Sequence, residues 1–474
     1  MGRRIRYSRP KSSPPETLLD FLCTRFSYLS RDAWQQHISA GHLSVTSKDG
    51  VSTSAAYVLR QSDEIHFDPP RELEPEVDEH IDVVHDDEAI LVCVKNGNLP
   101  VAEGGRYSSN TLVGVLQRCS TAAVASASAS DSAIPITATT TTTTSKGTEE
   151  RKRRRSSEEH AAGASAAPLA YHPVHRLDKE TSGLVVLAKQ ATAARLLSTQ
   201  FEQQSERLTA SVLQLADAAG GQLGSAAVDA LVEGAKSVTK SYIAVLAGAA
   251  PEGAVFVVCD RIGLLSEGAE PGASEHAKLQ KLKMACFPAS VQENPRRLGR
   301  AACSRIRILR SDAALGVSVA CVDILTGRTH QIRLHCAQLG FPVLGDKLYE
   351  TATPGVVGGC RAVADDTYLA RVRGGVYMIS AAAPRLRVRR HLLHAAVLAF
   401  RHPISGERLE FFADPREWLL RDVTEVDDEA ADVASTAGKR SNTNTLVELR
   451  QLLDKVMDAR SVSAAHLSQS LPPL

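Results

Sequence analysis

The chain has 474 residues, of which 43% are hydrophobic and 23% are charged, and its formal net charge is +1. This length suits two or three domains, and this apolar content excludes a wholly disordered protein. A balanced net charge does not mark the molecule as a whole as a nucleic-acid binder, so binding of that kind would depend on a local basic surface.

Several classes of site are disfavoured because their motifs are missing. The nine cysteines include no Cys-x-x-Cys pair, which argues against a zinc site and against a disulfide scaffold. The sequence also lacks His-Glu-x-x-His, the Gly-x-x-x-x-Gly-Lys-Ser/Thr phosphate loop and Gly-x-Gly-x-x-Gly. No apolar run approaches the ~18 residues that cross a bilayer. We therefore expect no metal, no nucleotide cofactor and no membrane segment.

The amino-terminal part of the chain is predicted to form a small module. Residues 1–16 are basic and are predicted to be disordered. Within residues 17–70, the apolar pattern predicts two helices, which include Leu18 and Trp34, followed by two strands. Residues 71–81 are rich in proline and glutamate and are predicted to form a linker.

The chain then passes from a strand into a long biased segment. A buried strand at residues 89–94 leads into Lys-Asn-Gly-Asn-Leu-Pro-Val at residues 95–101. Residues 120–168 carry Ala, Ser and Thr runs and a basic Lys-Arg-Arg-Arg cluster, with few large apolar groups to offset the entropy of ordering. We predict a disordered insertion there. Its basic cluster is either solvated or a patch for nuclear import or RNA tethering.

A carboxylate stands out in the middle of the chain. The string His-Arg-Leu-Asp-Lys-Glu-Thr-Ser-Gly at residues 175–183 places Asp178 at a turn before a buried strand at residues 184–188. A helix is predicted at residues 191–203 and a strand at residues 242–246. Further insertions are predicted at about 205–238, 262–300 and 350–390.

The last third of the chain returns to short strands and turns. Strands at residues 304–309 and 318–325 precede Gly-Arg-Thr-His-Gln-Ile-Arg at residues 327–333, where Thr329 is expected to cap a helix. Two more strands are predicted at residues 394–400 and 409–412. Residues 424–474 are predicted to form a linker and an amphipathic helix, which docks on the domain or else on a partner.

Five of these motifs together resemble the RluA-type pseudouridine synthases, in the order in which that family carries them. The string at residues 175–183 closely resembles the catalytic loop of the family, and the string at residues 327–333 is the second strong match. The weaker matches are residues 95–101, 240–242 and 393–403. Asn96 departs from the pattern, because the family usually has proline at that place.

The resemblance implies a fold and a domain organisation. We expect an α+β pseudouridine synthase fold over residues 82–423: a mixed, largely antiparallel sheet with flanking helices and a central cleft that holds Asp178. The order of elements in residues 17–70 resembles the small RNA-binding module of ribosomal small-subunit protein four. An unrelated α+β cap would show the same order.

The resemblance also implies roles for particular residues. Asp178 would be the nucleophile or the acceptor of a sugar proton, and Arg333 would be its partner cation, in a bidentate pair that fixes the carboxylate. Tyr242 would stack on the extruded uracil and assist proton removal. Arg176 would fill the space that the base vacates, or else serve as a structural ion-pair partner. Arg328 and Lys347, with Arg333, would supply the local basic cleft for RNA.

The function implied is the isomerisation of uridine to pseudouridine in a stem-loop of rRNA or tRNA, by a protein that we expect to be a monomer. The alternative is a non-catalytic RNA-binding or ribosome-assembly factor on the same fold. A glycosidase-type enzyme would need a second acidic catalyst, and the motifs contain no carboxylate for that place. The compartment is open between mitochondrion, nucleus and cytoplasm.

Overall fold

The computed structural model describes residues 3–8, 15–26, 31–48, 50–68, 74–105, 107–127, 170–218, 238–264, 283–288, 299–351, 360–362, 377–378, 386–425 and 445–458. Within these ranges, no helix is both long enough and apolar enough to cross a membrane. The described segments form a small amino-terminal module and a large sheet with helices on its two faces.

The amino-terminal module is a four-stranded sheet with two helices packed on it. Its elements are β1 (Arg3–Arg6), α1 (Leu18–Arg25), α2 (Arg31–Ser39), β2 (Leu43–Ser47), β3 (Gly50–Ser52) and β4 (Glu64–Phe67), and the strand order is β1-β4-β2-β3. Thr17 caps α1 by accepting a hydrogen bond from the backbone N–H of Asp20. Trp34 is buried at the centre of the core between the helices and the sheet. Both predicted helices are therefore present.

The start of the chain differs from the prediction of a disordered segment at residues 1–16. Residues 3–6 form β1, which pairs antiparallel with β4 and places Ile5 opposite Ile65. Ile5 and Tyr7 alternate with arginines, and this period of two suits a strand with one face on a core. Tyr7 is buried, and its hydroxyl donates to Glu16 at 2.8 Å. The basic composition concealed this alternation; residues 1–2 and 9–14 lie outside the described ranges.

Beyond the module, the chain forms a long series of strands. They are β5 (Ile81–Asp86), β6 (Ile90–Lys95), β7 (His172–Pro173), β8 (Ser182–Ala188), β9 (Thr239–Ala247), β10 (Val255–Leu264), β11 (Met284–Pro288), β12 (Arg300–Asp312), β13 (Val317–Ile324), β14 (Tyr349–Thr351), β15 (Cys360–Ala362), β16 (Tyr377–Met378), β17 (Leu386–Val388), β18 (Leu393–Arg401), β19 (Arg408–Phe412) and β20 (Val423–Glu425).

Eleven of these strands form one sheet, with the order β11-β10-β12-β13-β9-β18-β8-β6-β5, while β7 pairs with β8 and β19 with β18. Among the described strands, every pairing in this sheet is antiparallel except that of β8 with β18. This mixed, largely antiparallel sheet is the fold class that the sequence predicts. Two small sheets, β14-β15 and β16-β17-β20, lie outside it.

The parallel contact between β8 and β18 depends on a glycine. Gly183 lies opposite Ala395 and has a φ of +118°, a conformation that residues with a side chain rarely adopt. A Cβ atom there would lie 2.4 Å from the backbone nitrogen of Ala395. Ala395 in turn lies opposite Tyr242 on β9. The close approach therefore brings the end of the loop that carries Asp178 to the strand that carries Tyr242.

Helices cover both faces of the sheet. They are α3 (Leu112–Ala127), α4 (Ala191–Ala218), α5 (Gln331–Gln338), α6 (Pro415–Leu420) and α7 (Thr445–Asp458). The carboxy-terminal helix α7 buries Leu449, Leu452, Leu453, Val456 and Met457 in one core with Ile243 and Val245 of β9. Because these positions are three and four apart, they share one helix face. The prediction that this helix docks on the domain is confirmed.

The predicted insertions contain more regular structure than expected. Helix α3 continues to Ala127, within the segment predicted to be disordered, and α4 continues as one helix to Ala218. The segment at residues 262–300 includes the end of β10 and all of β11, which pair with each other. The segment at residues 350–390 includes β15, β16 and β17. Pairing with neighbouring strands, which composition does not report, stabilises these short elements. Most of the remaining residues of these insertions lie outside the described ranges.

The predicted linker also makes specific contacts. The carboxylate of Glu74 accepts hydrogen bonds from the backbone N–H groups of Ser109 and Asn110, at 2.9 and 2.7 Å. Residue 81, the last of the predicted linker, is the first of β5. The described part of this segment is therefore attached to the sheet domain.

Candidate active site

The loop that carries Asp178 lies between β7 and β8 and is held at both ends. His175 accepts a hydrogen bond from the backbone N–H of Val186 at 3.1 Å and stacks on Phe201 at 5.2 Å. Burial, together with the charge of Lys240, lowers the pKa of His175 to about 3, so the ring stays neutral and remains an acceptor. The backbone N–H of Thr181 donates to the carbonyl of Asp178 at 3.1 Å and closes the turn.

A buried lysine lies beneath the same loop. The ammonium of Lys95, at the end of β6, donates to the backbone carbonyls of Asn96 at 3.0 Å, of Lys179 at 3.3 Å and of Thr181. Burial lowers the pKa of Lys95 to about 7. Lys95 therefore fixes the backbone on the carboxyl side of Asp178, a role that its place in the sequence did not reveal.

Asn96, the departure from the family pattern, is accommodated by hydrogen bonds. Its backbone N–H donates to the carbonyl of His80 at 3.3 Å, which a proline could not do, and its side-chain amide donates to Asp78. Both partners belong to the segment just before β5. In this chain, hydrogen bonds brace the loop at the place where the family usually has a rigid ring.

Asp178 and Arg333 meet, but not as a bidentate pair. The Nη1 of Arg333 lies 3.4 Å from Oδ2 of Asp178. The bidentate partner of Arg333 is Asp346, with Nε at 2.5 Å from Oδ2 and Nη2 at 2.7 Å from Oδ1. The prediction of a bidentate contact with Asp178 is therefore wrong. Arg333 lies in the first turn of α5, where its Nε edge faces the segment after the helix and only Nη1 reaches Asp178.

Asp346 is itself rigidly held. Its side chain is 1% exposed, and Oδ1 also accepts the backbone N–H groups of Leu348 at 2.8 Å and Tyr349 at 3.0 Å. The preceding Gly345 has a φ of +81° and packs so closely that a Cβ atom would lie 2.3 Å from the carbonyl oxygen of Arg390. Sequence reasoning missed Asp346; the Gly-Asp pair in a turn was its only local signal.

His330 completes the surroundings of Asp178. It occupies the N-cap position of α5 with a φ of 57°, and its side chain makes no capping hydrogen bond, so the prediction that Thr329 caps this helix is wrong. The Nε2 of His330 lies 3.9 Å from Oδ2 of Asp178, and Nδ1 lies 2.7 Å from the hydroxyl of Tyr349. Burial, with a contribution from Arg333, lowers the pKa of His330 to about 4.

The charge state of Asp178 follows from these neighbours. Burial raises its pKa, but His330, Arg333 and Arg176 together outweigh burial and hold the pKa below its usual value. Because His330 is neutral at neutral pH, the arginines carry this effect there. Asp178 is therefore an ionised carboxylate in a largely enclosed position, with a side chain that is 20% exposed.

Asp178 opens onto a cavity of about 490 Å³. Arg176, Tyr242, Lys240 and Arg328 also line this cavity. The ring of Tyr242 is buried, and its hydroxyl makes no hydrogen bond to any residue that the structure describes. Burial and the charge of Asp178 raise the pKa of Tyr242, so the phenol is protonated at neutral pH. A larger cavity of about 910 Å³, beside α3, is lined by residues outside the Asp178 and Arg333 motifs.

The predicted RNA-binding residues separate into two groups. Arg176 is exposed at the cavity, and Arg328 lines it while its Nε donates to the carbonyl of Ala301 at 2.8 Å. Lys347 instead forms an ion pair with Glu180, and its side chain is 15% exposed. It follows Asp346 directly, and its pair with Glu180 ties that segment to the Asp178 loop. The structure therefore places Lys347 in a bracing contact and not at the cavity.

One basic residue at the cavity was missed. Lys240 precedes Tyr242 on β9, and its ammonium lies 4.3 Å from the ring centroid of Phe201. Burial lowers the pKa of Lys240 to about 8, so it still carries a charge at neutral pH. The string Lys-Ser-Tyr at residues 240–242 was noted for its tyrosine alone.

Comparisons with known proteins show which proteins this chain resembles. The family model described as RNA pseudouridylate synthase matches residues 91–209. RNA pseudouridine synthase 2, chloroplastic, of Arabidopsis thaliana is 28% identical over 410 residues, which are 83% of this chain and 76% of that protein. Ribosomal large subunit pseudouridine synthase D of Xanthomonas campestris is 31% identical over 264 residues, 56% of this chain and 57% of that protein.

The human RNA pseudouridylate synthase domain containing 1 aligns with 78% of this chain and 100% of its own, at 19% identity and a TM-score of 0.39. The matched segment at residues 91–209 contains Asp178 and both flanking strands, and the resemblance seen in the sequence is confirmed. The chain is thus similar to an RNA pseudouridine synthase over 83% of its length, and its residues 91–209 match the RNA pseudouridylate synthase family model.

Proposed function

We propose that this isomerase converts specific uridines in RNA to pseudouridine, with Asp178 as the residue that starts the reaction. The observation that carries this proposal is an ionised, largely enclosed carboxylate, held 3.4 Å from Arg333 at a cavity that Tyr242 also lines. The reaction breaks the N-glycosidic bond, turns the base and rejoins it through carbon. It requires a carboxylate and a pocket for the base, and no external donor group.

The way in which Arg333 is held leaves Asp178 available for chemistry. Both Arg333 and His330 approach Oδ2 of Asp178, while Oδ1 accepts no hydrogen bond from any described residue. A bidentate pair would have occupied both oxygens. Because Asp346 takes the bidentate contact instead, one oxygen of Asp178 remains to attack the sugar carbon or accept a sugar proton.

Tyr242 acts mainly as a platform for the base. Its ring lines the cavity that Asp178 enters, and an aromatic face can stack on an extruded uracil. Its raised pKa keeps the phenol protonated at neutral pH, so the phenolate that could accept a proton is scarcely present. The hydroxyl can assist removal of the proton from the new carbon link only if it passes its own proton on. Asp178, an ionised carboxylate that lines the same cavity, is the candidate acceptor.

The substrate we propose is a stem-loop of rRNA or tRNA. One relative is named a ribosomal large subunit pseudouridine synthase, which favours rRNA as the first substrate to test. Basic residues at the cavity, Arg176, Arg328 and Lys240, offer contacts for phosphates. Extruding the uridine costs a few kcal/mol, and the exposed Arg176 would occupy the space that it vacates. The amino-terminal module would supply additional RNA contacts.

The test is pseudouridine mapping of total RNA from cells that lack this protein. The cells are rescued with wild type, with Asp178→Ala or with Asp82→Ala, which removes a half-exposed aspartate outside the cavity. We expect at least one site that is lost in the null and restored by wild type and Asp82→Ala only. On that substrate, Asp178→Ala should lower kcat by at least about 10³-fold.

Restoration of the site by Asp178→Ala would overturn the assignment of Asp178. If both wild type and Asp178→Ala rescued growth or ribosome assembly while no site changed in any strain, the protein would be a non-catalytic RNA-binding factor. Recombinant turnover on the corresponding stem-loop then distinguishes loss of chemistry from loss of binding.

The compartment stays a prediction. The Arabidopsis relative is named chloroplastic, whereas the basic cluster at residues 152–155 suggests the nucleus. Imaging of the full chain with a carboxy-terminal fluorescent tag decides among mitochondrion, nucleus and cytoplasm.

A further inference from the structure

Three side chains from separate segments converge away from the Asp178 cavity. They are Asp260 on β10, Cys286 on β11 and His335 on α5, and their potential ligand atoms all lie within 4.8 Å of one another. Among the described residues, this is the group of histidine, cysteine and carboxylate side chains that is close enough to share one metal ion. None of the three lines the Asp178 cavity.

The register of the strands explains why these side chains meet. Asp260 lies opposite Pro288, and Ile262 lies opposite Cys286. Since residues two apart on a strand project from the same face, Asp260 and Cys286 share one face of the sheet. Helix α5 packs across this end of the sheet through Leu334 and Ala337, and so brings His335 to the two strand residues.

The imidazole of His335 has one nitrogen oriented and the other open. Its side chain is fully buried, and Nδ1 lies 2.9 Å from the hydroxyl of Ser304, which is also buried. Its Nε2 is buried and has no hydrogen-bond partner among the described residues. A metal-bound histidine usually makes a hydrogen bond of this kind with the ring nitrogen that does not bind the metal. That hydrogen bond fixes the tautomer in which the other nitrogen is free to coordinate.

The carboxylate of Asp260 also lacks a cationic neighbour. Its one hydrogen bond within the described residues comes from Nε2 of Gln338, at 3.0 Å from Oδ2, and it takes part in no ion pair there. Burial raises the pKa of Asp260 to about 6. A carboxylate removed from water without a cation is unfavourable, so a bound cation would stabilise it.

We propose that Asp260, Cys286 and His335 bind one zinc ion, with Gln338 or a water as the fourth ligand. A set of one thiolate, one imidazole and one carboxylate matches zinc, whereas magnesium and calcium prefer oxygen ligands alone. Tetrahedral zinc places its ligand atoms ~3.3–3.8 Å apart, so closing the observed cluster on the ion requires only a small movement of the β10–β11 pair.

The zinc ion would brace the helix that carries Arg333. It would join α5 to the β10–β11 hairpin at His335, two residues after Arg333 on the same helix. The sequence could not reveal such a site, because its ligands come from distant segments and include no Cys-x-x-Cys pair. This site is independent of the proposed reaction, and its role is structural because its ligands lie away from the cavity.

The test uses the full chain, stripped with a chelator and then titrated with Co²⁺ and Zn²⁺. Tetrahedral Co²⁺ gives strong visible absorption, and a bound thiolate adds a sulfur-to-cobalt charge-transfer band. We expect one Co²⁺ per chain with that band, displaced by one equivalent of Zn²⁺, and a rise in Tm on adding Zn²⁺. Cys286→Ser should remove the charge-transfer band, and Asp260→Asn should weaken affinity at least 10-fold.

Two control variants make the result specific. Cys119→Ser removes an exposed cysteine and should change nothing. Cys259→Ser alters the cross-strand pair in which the sulfur atoms of Cys259 and Cys303 lie 2.7 Å apart, and it should also keep the charge-transfer band. Absence of tight binding by the wild-type chain, or loss of the band in Cys259→Ser while Cys286→Ser keeps it, would overturn the proposal. If a variant fails to fold, absence of tight binding by the wild-type chain still overturns the proposal.

Discussion

Asp346 is the residue on which the geometry of Arg333 depends. Its carboxylate holds the Nε edge of the guanidinium in a bidentate contact and is itself fixed by two backbone N–H groups. The only part of Arg333 that reaches Asp178 is Nη1. Asp346 touches neither the cavity nor the proposed substrate, so it is a positioning residue that acts through Arg333.

Asp346→Asn should therefore disturb catalysis through the charge state of Asp178. The variant leaves Arg333 without its bidentate partner, and breaking a buried pair in this way costs roughly 3–5 kcal/mol of stability. We expect kcat to fall about 10- to 100-fold while KM for the RNA changes little. The acid limb of the kcat profile should also move upward, because a displaced Arg333 no longer lowers the pKa of Asp178. Steady-state kinetics from pH 4 to 8 measure both effects.

Glu252→Gln is the matched control, because Glu252 pairs with Arg310 at a half-exposed site far along the sheet. It should leave kcat and its pH profile unchanged. An Asp346→Asn variant that is less stable but keeps the wild-type acid limb would show that Asp346 supports the fold alone.

At the level of residues, the sequence predicted what lies within single motifs. Asp178, Tyr242, Arg176 and Arg328 all line one cavity, and Arg333 lies behind Asp178. The sequence did not predict which carboxylate forms the bidentate pair with Arg333. A sequence gives spacing along the chain and not the direction in which a guanidinium edge points. The role of Lys95 was hidden for the same reason, since the carbonyls of Lys179 and Thr181 lie in another motif.

At the level of elements, the carboxy-terminal helix α7 supports the sheet behind the active site. Its leucines pack in the same core as Ile243 and Val245, which follow Tyr242 on β9. Leu453 is fully buried, whereas Val447 on the same helix is 44% exposed. The helix therefore offers a buried residue and an exposed residue for direct comparison.

Leu453→Ala should lower the free energy of unfolding by about 2–5 kcal/mol, because it removes buried methyl groups and leaves a cavity. Val447→Ala should change it by less than about 0.5 kcal/mol. Urea denaturation of the full chain, followed by circular dichroism, measures both values. Equal stability of the two variants would mean that α7 does not hold its position on the sheet in solution.

The elements that the sequence missed share one physical cause. Strands β1 and β11 lie in segments whose composition suggested disorder or insertion, yet each has a paired neighbour, in β4 and β10 respectively. Strand formation depends on the partner strand and the covered face more than on intrinsic preference. The strands with strong apolar runs, such as β6 and β8, needed no such information and were predicted.

At the scale of the whole molecule, several histidines are buried in the neutral form. Burial lowers the pKa of His175 to about 3, of His330 to about 4 and of His394 to about 3, and it lowers that of His391 well below the usual value. They belong to the Asp178 loop, to α5, and to the strand β18 and the turn before it. Their protonation would therefore affect the whole sheet domain at once.

The sign of the resulting pH dependence follows from proton binding. The unfolded chain protonates histidines near pH 6.5, whereas His175, His330 and His394 in the folded chain resist protonation down to about pH 3–4. Stability from these three groups is therefore present above pH 6.5 and is lost as the pH falls below it. Three histidines give a slope of up to about 4 kcal/mol per pH unit, which the raised pKa of Asp260 partly offsets below pH 6. The lowered pKa values of Lys95 and Lys240 add stability as the pH rises from about 7.

We therefore expect Tm to fall steeply between pH 6.5 and 5 and to rise gently above pH 7. Thermal melts of the full chain at intervals of half a pH unit measure this profile. His175→Gln should reduce the slope on the acid side, because it removes one of the titrating groups. A constant Tm from pH 7 to pH 5 would mean that these histidines are not held neutral. The sheet domain would then open to water around the Asp178 loop more readily than the packing of His175 on Phe201 implies.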